Sequence, residues 1–501
     1  MTTMASPLEH ARRTAADRPS AICGTTTTTY GQTWQRCRQL VGALVQLGLR
    51  RGDRVAVVAA NCHRYLEIYQ AVPAGGFVLV PLNTRQSQAE LTYALTDAGV
   101  RVLITDRDPG PLADLVEHVV LLPTAYDALL AAAPQLPLGE GVHEDDLAGL
   151  FYTGGTTGGA KGVMLSHRNL ITNAFNALVV VGLRADDRWL AMAPMFHAAG
   201  TFAVLACTWR GVANVVLPTF AAGPALDLLE RHRCTTTIGV PTMLAAMVEE
   251  QARQPRDLRS MRVLTHGAAP IATEVVRRAA ATFPGAELVH LYGATETAPL
   301  ITASSHEELL LDGPHARACG QPLPGVEVRI EDPIDGVGEV LVRGHNVMQG
   351  YWGKPEQTAA ALVNGWYRTG DLGRLDDGGY LHLVDRTKDM LVTGGENVYS
   401  TEVEDALYAH PSVLEAAVFG VPDARWGEAV HAVVVRRSPS SADGLMVTAD
   451  ELTAHCRTLL AGYKVPKSIE LTDQALPKSG AGKVLKRSLR EPHWAGQDTR
   501  I

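Results

Sequence analysis

An α/β protein with more than one folding unit is what this sequence predicts, on three observations. Its 501 residues exceed what a single hydrophobic core usually organises. Short apolar runs alternate with helix-like stretches through the first half, the rhythm of parallel sheets covered by helices. From about Pro322 that rhythm gives way to short alternating strands, and after Asp385 to a compact mixed tail.

The elements follow in order. RVAVVAA (54–60) reads as a strand, RYLEIYQAVPAGG (64–76) as a helix and FVLVPLN (77–83) as a strand; QAELTYALTDAG (88–99) and VRVLITD (100–106) continue the alternation. It returns in VVLPTF (215–220), ALDLLERHRC (225–234), TTIGVP (236–241) and RVLTHGAAP (262–270), so a large N-terminal domain of two helix-covered, mainly parallel sheets is expected. No fixed-period repeat is visible. VEVRI (326–330), GEVLVRG (338–344) and GYLHLVD (379–385), separated by turns containing Gly and Asp, predict a small antiparallel sheet or β-barrel. The tail reads as helix STEVEDALYAH (400–410), strands VLEAAVFGV (413–421) and AVHAVVVRR (429–437), helix ADELTAHCRTLL (449–460) and the end GYKVPKSIEL (462–471), a small α+β domain. SPSSADG (438–444) is a surface loop, and the domain boundary falls in the turn 385–389.

Composition narrows the functional classes. An apolar fraction of 46% and a charged fraction of 20% argue against wholesale disorder. With 45 Lys plus Arg against 53 Asp plus Glu the net charge is −8, which offers no broad footprint for a nucleic-acid polymer or an anionic bilayer. Local basic clusters then suit one small anionic ligand. Cys23, Cys37, Cys62, Cys207, Cys234, Cys319 and Cys456 are an odd, scattered set without CxxC, as in a cytoplasmic protein with reduced thiols. The first twenty residues lack an apolar signal region, and ALVVVGL (177–183) and TFAVLAC (201–207) are too short to span a bilayer, so a cytoplasmic chain with no transmembrane segment is expected.

The segment richest in chemistry is FYTGGTTGGAKGVMLSHRN (151–169), with glycines at 154, 155, 158, 159 and 162. Glycines let backbone N–H groups turn toward an anion, the hydroxyls of Thr153, Thr156 and Thr157 add donors, and Lys161 adds a point charge. This is a complete cradle for a polyphosphate. It is not a Walker A loop, because Gly162 follows the lysine where Ser or Thr is required. The competing reading is a flexible surface loop. YGATET (292–297) supplies an aromatic, a flexible glycine, hydroxyls and a carboxylate, and a carboxylate beside a polyphosphate needs a divalent cation between them.

Together with GWYRTGDLG (365–373), DRTKDMLVTGGEN (385–397) and PKSGAGK (477–483), these segments closely resemble, in order and over nearly the whole chain, the adenylate-forming superfamily: acyl-CoA synthetases, adenylation domains of peptide synthetases and beetle luciferases. Gly154 replaces the family's usual serine, and Ala160 stands where proline is common; neither change removes the cradle's donors or charge.

The resemblance implies roles residue by residue. Thr153, Gly155, Thr156, Thr157 and Lys161 would cradle the ATP phosphates, with Gly267, Ala268, Ala269 and Gly293 also at the nucleotide. Tyr292 would lie against adenine, with His290 where the family often has a side-chain amide. Thr295 would contact the α-phosphate and Glu296 would hold Mg²⁺; taken alone, Glu296 is equally a carboxylate at a helix start. Asp371, assisted by Arg386, would accept from the ribose hydroxyls, against the plain reading of a turn residue. Lys483 would neutralise the approach of the acid to the α-phosphate; the competing reading is a solvated basic tail with Lys478, Lys486 and Arg487.

His197 in PMFHAAG (194–200) would orient the reacting carboxylate, although a lone histidine is more often structural. Gly200, Val240, Gly267, Ala268, Ala269, Ala298 and Leu300 would line an acyl pocket that is small and apolar. Ala198 and Ala199 stand where amino-acid-activating relatives place an aspartate for the ammonium, and no arginine can be placed there for a second carboxylate. Residues 386–388 would be a hinge pivoting on Lys388 between 1–385 and a mobile 389–501, with Gly394 and Gly395 lining a pantetheine tunnel; two glycines are equally a hairpin turn. The expected activity is that of an ATP- and Mg²⁺-dependent acyl-CoA synthetase acting on an apolar, fatty or related acid with CoA as co-substrate. The alternative is a ligase loading the phosphopantetheine of an acyl carrier protein. A homodimer is left open.

Overall fold

The computed structural model describes residues 2–153, 160–269, 271, 273–334, 336–386, 389–393, 396–423, 425–437, 447–478 and 484–494, and among these residues four sheets form. Arg54–Val58 sits inside a seven-stranded sheet, parallel to Val78–Pro81 on one side and Val100–Thr105 on the other. The helices His63–Ala74 and Gln88–Ala98 connect these strands, as the alternation predicts. Val55, Ala56, Val57 and Val58 are all buried, because a parallel strand covered by helices on both faces reads as one continuous apolar run.

The second sheet has nine strands. Its parallel core runs in the order Glu287–Tyr292, Val263–Gly267, Thr236–Gly239, Arg188–Ala191, Ala213–Val216, Pro19–Cys23. After Arg188–Ala191 the chain first lays Ala213–Val216 on one side and then returns to lay Thr236–Gly239 on the other. Such a reversal of strand order opens a crevice at the carboxyl ends of the two flanking strands.

Several elements differ from the sequence reading. The strand at VVLPTF begins earlier, at Ala213, and stops at Val216, since Pro218 has no N–H with which to extend a ladder. The threonine run closes a hairpin, Pro19–Cys23 with Thr26–Thr29, whose last residue caps helix Tyr30–Gln46 through a Thr29–Gln32 capping box. Between the glycine-rich segment and helix His167–Val181 lies a strand, Lys161–Ser166. Where a small antiparallel sheet or barrel was expected, Val326–Ile334, Val337–Gly344, Leu362–Val363, Trp366–Leu375 and Leu381–Arg386 form a five-stranded antiparallel sheet.

From Leu391 onward the strands build their own sheet, with Ser468–Thr472 parallel to Gly427–Arg436 and helices Ser400–Tyr408, Ala449–Leu459 and Lys486–Trp494 around it. Its two buried apolar clusters draw only on residues from Leu391 onward. Asp385 accepts from Ser400 N at 2.6 Å and so caps helix Ser400–Tyr408. All seven cysteines are free thiols, and no helix among the described residues is long and apolar enough to cross a membrane.

The N-terminal helix Ala5–Thr14 is held by a contact that depends on pH. Met4 N donates to His167 Nδ1 at 3.1 Å inside the core. Burial pushes the His167 imidazole down to about 4 from its ordinary value near 6.5. The unfolded chain therefore binds this proton below about pH 6.5 while the folded chain refuses it until about pH 4. Stability is full above that window and falls by about 1.4 kcal/mol per pH unit inside it from this group alone. In His167→Asn, whose amide oxygen keeps an acceptor near Nδ1 without titrating, chemical denaturation between pH 6.5 and 4 is expected to show a flatter stability profile than the parent. Parallel profiles would remove His167 as the cause.

Candidate active site

The glycine-rich segment is flanked by two paired strands. Leu147–Thr153 and Lys161–Ser166 pair antiparallel, with Thr153 opposite Lys161. Both of these residues are half-buried, and Gly155, Thr156 and Thr157 between them lie outside the described residues. A capping box of Ser166 and Asn169 fixes the exit into helix His167–Val181. The amide of Asn169 also donates to His345 O and Val347 O, both at 2.8 Å. This ties in the segment that carries Gly350–Tyr351, which pairs with the hairpin's outer strand through Tyr351 and Val163.

That pairing assembles a row of charge. Lys161 Nζ stands 4.8 Å from the centre of the Tyr351 ring, and Tyr351 Oη donates to Glu296 Oε1 at 2.9 Å. Burial first, and then the Glu296 carboxylate, push the Tyr351 phenol well above its ordinary value. Tyr367, itself buried, lies beside Tyr351. Glu296 is half-buried in the single turn Thr295–Thr297, beside a lysine that draws anions to the same place. Its hard carboxylate oxygens suit Mg²⁺ better than a softer metal.

A second group gathers one strand away. Val263–Gly267 and Glu287–Tyr292 run parallel with Gly267 beside Leu291, and a Cβ at Gly267 would come within 2.0 Å of Leu291 O. A Cβ at Gly293 would come within 1.7 Å of Pro299 O, so only glycine allows this turn to close. Ala268 (φ +67°) and Ala298 (φ +60°) hold left-handed backbone that costs a residue with a side chain about 1 kcal/mol or more. Tyr292 Oη donates to Asp371 Oδ2 at 2.6 Å, joining the parallel sheet to the antiparallel one. Burial, reinforced by Asp371, pushes the Tyr292 phenol far up. Arg386 lies directly opposite Asp371 in the ladder, although its side chain is outside the described residues.

Behind Tyr292 lies a buried triad. His266 Nε2 meets Glu307 Oε2 at 2.5 Å, His290 Nδ1 lies 3.4 Å from Glu307 Oε1, and the two imidazoles stack at 4.8 Å. Burial opposes ionisation of Glu307, but the two imidazoles outweigh it and hold the carboxyl well below the usual range. Burial depresses His266, so it serves as a neutral N–H donor to an ionised glutamate. His290, expected beside adenine, thus has its ring fixed from behind by groups that the sequence reading did not include.

The residues expected to face the acid lie near the strand reversal. His197 follows strand Arg188–Ala191 and caps helix Ala198–Thr201, accepting from Ala199 N at 3.3 Å through Nδ1. Val240 follows Thr236–Gly239 and stands at the N-cap position of helix Pro241–Arg253. A Cβ at Gly200 would lie 2.0 Å from Pro194 O, so this turn too requires glycine. Val240, Ala298 and Leu300 are buried, Gly200 likewise, and Ala269 is half-buried. Lys483, Gly394, Gly395 and Lys388 lie outside the described residues.

Tyr351, Tyr367, His266 and Glu307 were missed by the sequence reading. Tyr367 stands inside the quoted GWYRTGDLG, and Tyr351 in Gly-Tyr-Trp after a strand; an aromatic next to glycine beside a motif was the available signal. Glu307 had none, since it enters from a short helix, Glu307–Leu310, fifteen residues beyond Tyr292.

The sequence profile of the AMP-binding enzymes matches residues 8–352, and that of the AMP-binding enzyme C-terminal domain matches residues 402–483. A feruloyl-CoA synthase of an Amycolatopsis species is 42% identical over 481 residues, covering 93% of this chain and 94% of its own. The fatty acid–[acyl-carrier-protein] ligase ScoC of Streptomyces coeruleorubidus is 34% identical, covering 96% and 95%. Among solved structures, the o-succinylbenzoate CoA synthetase MenE of Bacillus subtilis in complex with ATP and magnesium superimposes with a TM-score of 0.85 at 30% identity, covering 96% of this chain and 98% of its own. The chain belongs to the AMP-binding enzymes, in the acyl-CoA synthetase type of the adenylate-forming superfamily.

Proposed function

We propose that the chain activates an apolar monocarboxylic acid with ATP and passes the acyl group to CoA. In the first step a carboxylate oxygen attacks the α-phosphorus, the bond to the β-phosphate oxygen breaks and pyrophosphate leaves. In the second the CoA thiol loses its proton to solvent, its sulfur attacks the acyl carbonyl, the acyl–oxygen bond to the phosphate breaks and AMP leaves with the bonding pair. The observation that carries this reading is the convergence of Lys161, Tyr351 and Glu296, from three distant segments, into one row beside Tyr292 and Asp371.

Lys161 and the hydroxyl-rich segment before it bind the polyphosphate, while the Tyr351 ring holds the lysine in place. Asp371, oriented by Tyr292, accepts from the ribose hydroxyls, and the ladder partner Arg386 assists. His197 orients the acid at the strand reversal. Glu296 would hold the magnesium, which supplies charge neutralisation at the polyphosphate. Residues 386–388 act as the hinge on which 389–501 swings between the two steps, with Gly394 and Gly395 in the path of the pantetheine arm.

The acid is apolar and carries no second charge. Support comes from Gly200, Val240, Ala298 and Leu300, which are small or aliphatic and buried. Of the relatives, the 42% identical one is named for feruloyl-CoA, which puts aromatic propenoic acids ahead of fatty acids in the test. Pyrophosphate release should be measured with aromatic propenoic, fatty, dicarboxylic and β-amino acids, with CoA, with acyl carrier protein and with neither. Turnover with apolar monocarboxylic acids and thioester formation on CoA are expected, at least about tenfold above the charged acids, because burying an unpaired charge costs several kcal/mol. A preference for dicarboxylic or amino acids would overturn the pocket assignment, and thioester formation only on the carrier protein would replace CoA as acceptor.

A further inference from the structure

Outside the active site, three side chains of the C-terminal sheet converge on one point. His431, on strand Gly427–Arg436, is only 6% exposed. Its Nδ1 meets Ser468 Oγ at 2.6 Å, on the parallel strand whose Ser468 stands directly beside it. Its Nε2 is buried and has no hydrogen-bond partner among the described residues. A buried imidazole nitrogen without a partner is costly and calls for a ligand. Glu470 and His493, both exposed, bring a carboxylate oxygen and a ring nitrogen up to the His431 ring, and one ligand atom from each of the three residues lies within 4.8 Å of the other two. Phe419 flanks both imidazoles, at 5.2 Å from His431 and 5.8 Å from His493.

We propose that His431, Glu470 and His493 bind a single divalent transition-metal ion of the zinc class, with a fourth position left to water. Two imidazoles and one carboxylate suit zinc, whereas magnesium and calcium prefer all-oxygen shells. In the metal-bound form Ser468 Oγ, 2.6 Å from Nδ1, would accept from Nδ1–H and so hold the His431 tautomer that presents a lone pair at Nε2, the orienting role usual behind a metal-bound histidine. Bond lengths of about 2.0–2.2 Å require the three atoms to draw closer than they stand, and the two exposed side chains are free to make that movement. The ion would join strand Ser468–Thr472 to helix Lys486–Trp494, which flank the segment containing Lys483. That helix is already docked by Lys486 on Glu404 at 2.7 Å and by Trp494 Nε1 on Gly420 O at 3.0 Å, so the ion adds a third tie and is not needed for folding.

The test uses the full-length chain, freed of metal with a chelator and titrated with Zn²⁺ against a chelating dye and with Co²⁺ by visible absorption. One equivalent is expected to bind, with cobalt ligand-field bands and no thiolate-to-cobalt charge transfer. Ser468→Ala is expected to weaken Zn²⁺ binding about ten- to a hundredfold, as loss of an orienting partner does, and His493→Ala and Glu470→Gln to weaken it further. Both ligand positions are exposed, so metal-free melting of these variants should match the parent. Thiolate charge transfer, absence of binding, or affinity unchanged in His493→Ala and Glu470→Gln would each overturn the site.

Discussion

Replacing Lys483 with alanine is expected to slow pyrophosphate release about a hundred- to a thousandfold while leaving thioester formation from synthetic acyl-adenylate nearly intact, as for loss of one pre-positioned charge at a developing anion. The reaction brings a carboxylate to a polyphosphate, two anions that repel, and only a cation between them relieves that repulsion as the new bond forms. The neighbouring lysines cannot substitute. Lys478 is paired with Glu415, and the half-buried Lys486 is held by Glu404 and Ser400 Oγ, each at 2.7 Å. The reading of this stretch as a solvated basic tail therefore fails for both of those neighbours. Around the segment, Lys478 bridges to Val484 and Leu485 N donates to Pro477 O at 2.8 Å, which fixes both flanks of 479–483 on the C-terminal sheet. The split between the two half-reactions separates a catalytic loss from a folding loss, because an unfolded chain would fail both. Pyrophosphate release within threefold of the parent would end the assignment.

What could be read in the sequence follows the range of the interactions involved. Parallel strands such as Arg54–Val58 declare themselves because burial on both faces demands an unbroken apolar run, and the motifs declare themselves because glycine, hydroxyl and charge cluster within a few residues. The placement of His197 and Val240 near the strand reversal could not be read, since it arises from the order in which strands Arg188–Ala191, Ala213–Val216 and Thr236–Gly239 are laid down. Strand Lys161–Ser166 escaped because a lysine and a glycine open it, and its pairing with Leu147–Thr153 outweighs local preference. The His266–Glu307 contact spans 41 residues and depends on a short helix whose sequence carries no mark of it. Tyr351 lies 55 residues from Glu296, and only the bridging of two sheets brings them together.

Glu296→Gln is the second large effect, an expected fall of about a hundred- to a thousandfold in kcat/KM for pyrophosphate release at fixed magnesium. Glutamine has nearly the same shape and keeps an amide oxygen to accept from Tyr351 Oη, so the turn Thr295–Thr297 and the Tyr351 ring beneath Lys161 should stay in place. What is lost is the negative charge, and with it the oxygen ligand suited to a hard cation. The effect should therefore appear as a raised magnesium requirement, partly offset by high magnesium, with thermal stability close to the parent. Tyr351→Phe provides the contrast. It removes the hydrogen bond to Glu296 but leaves an aromatic face for Lys161, so a smaller loss of about ten- to a hundredfold is expected, the worth of one neutral-donor hydrogen bond to a charged group. If the two variants changed rank, with Tyr351→Phe the more damaging, Glu296 would be serving to anchor Tyr351 and the cation would have to be held elsewhere.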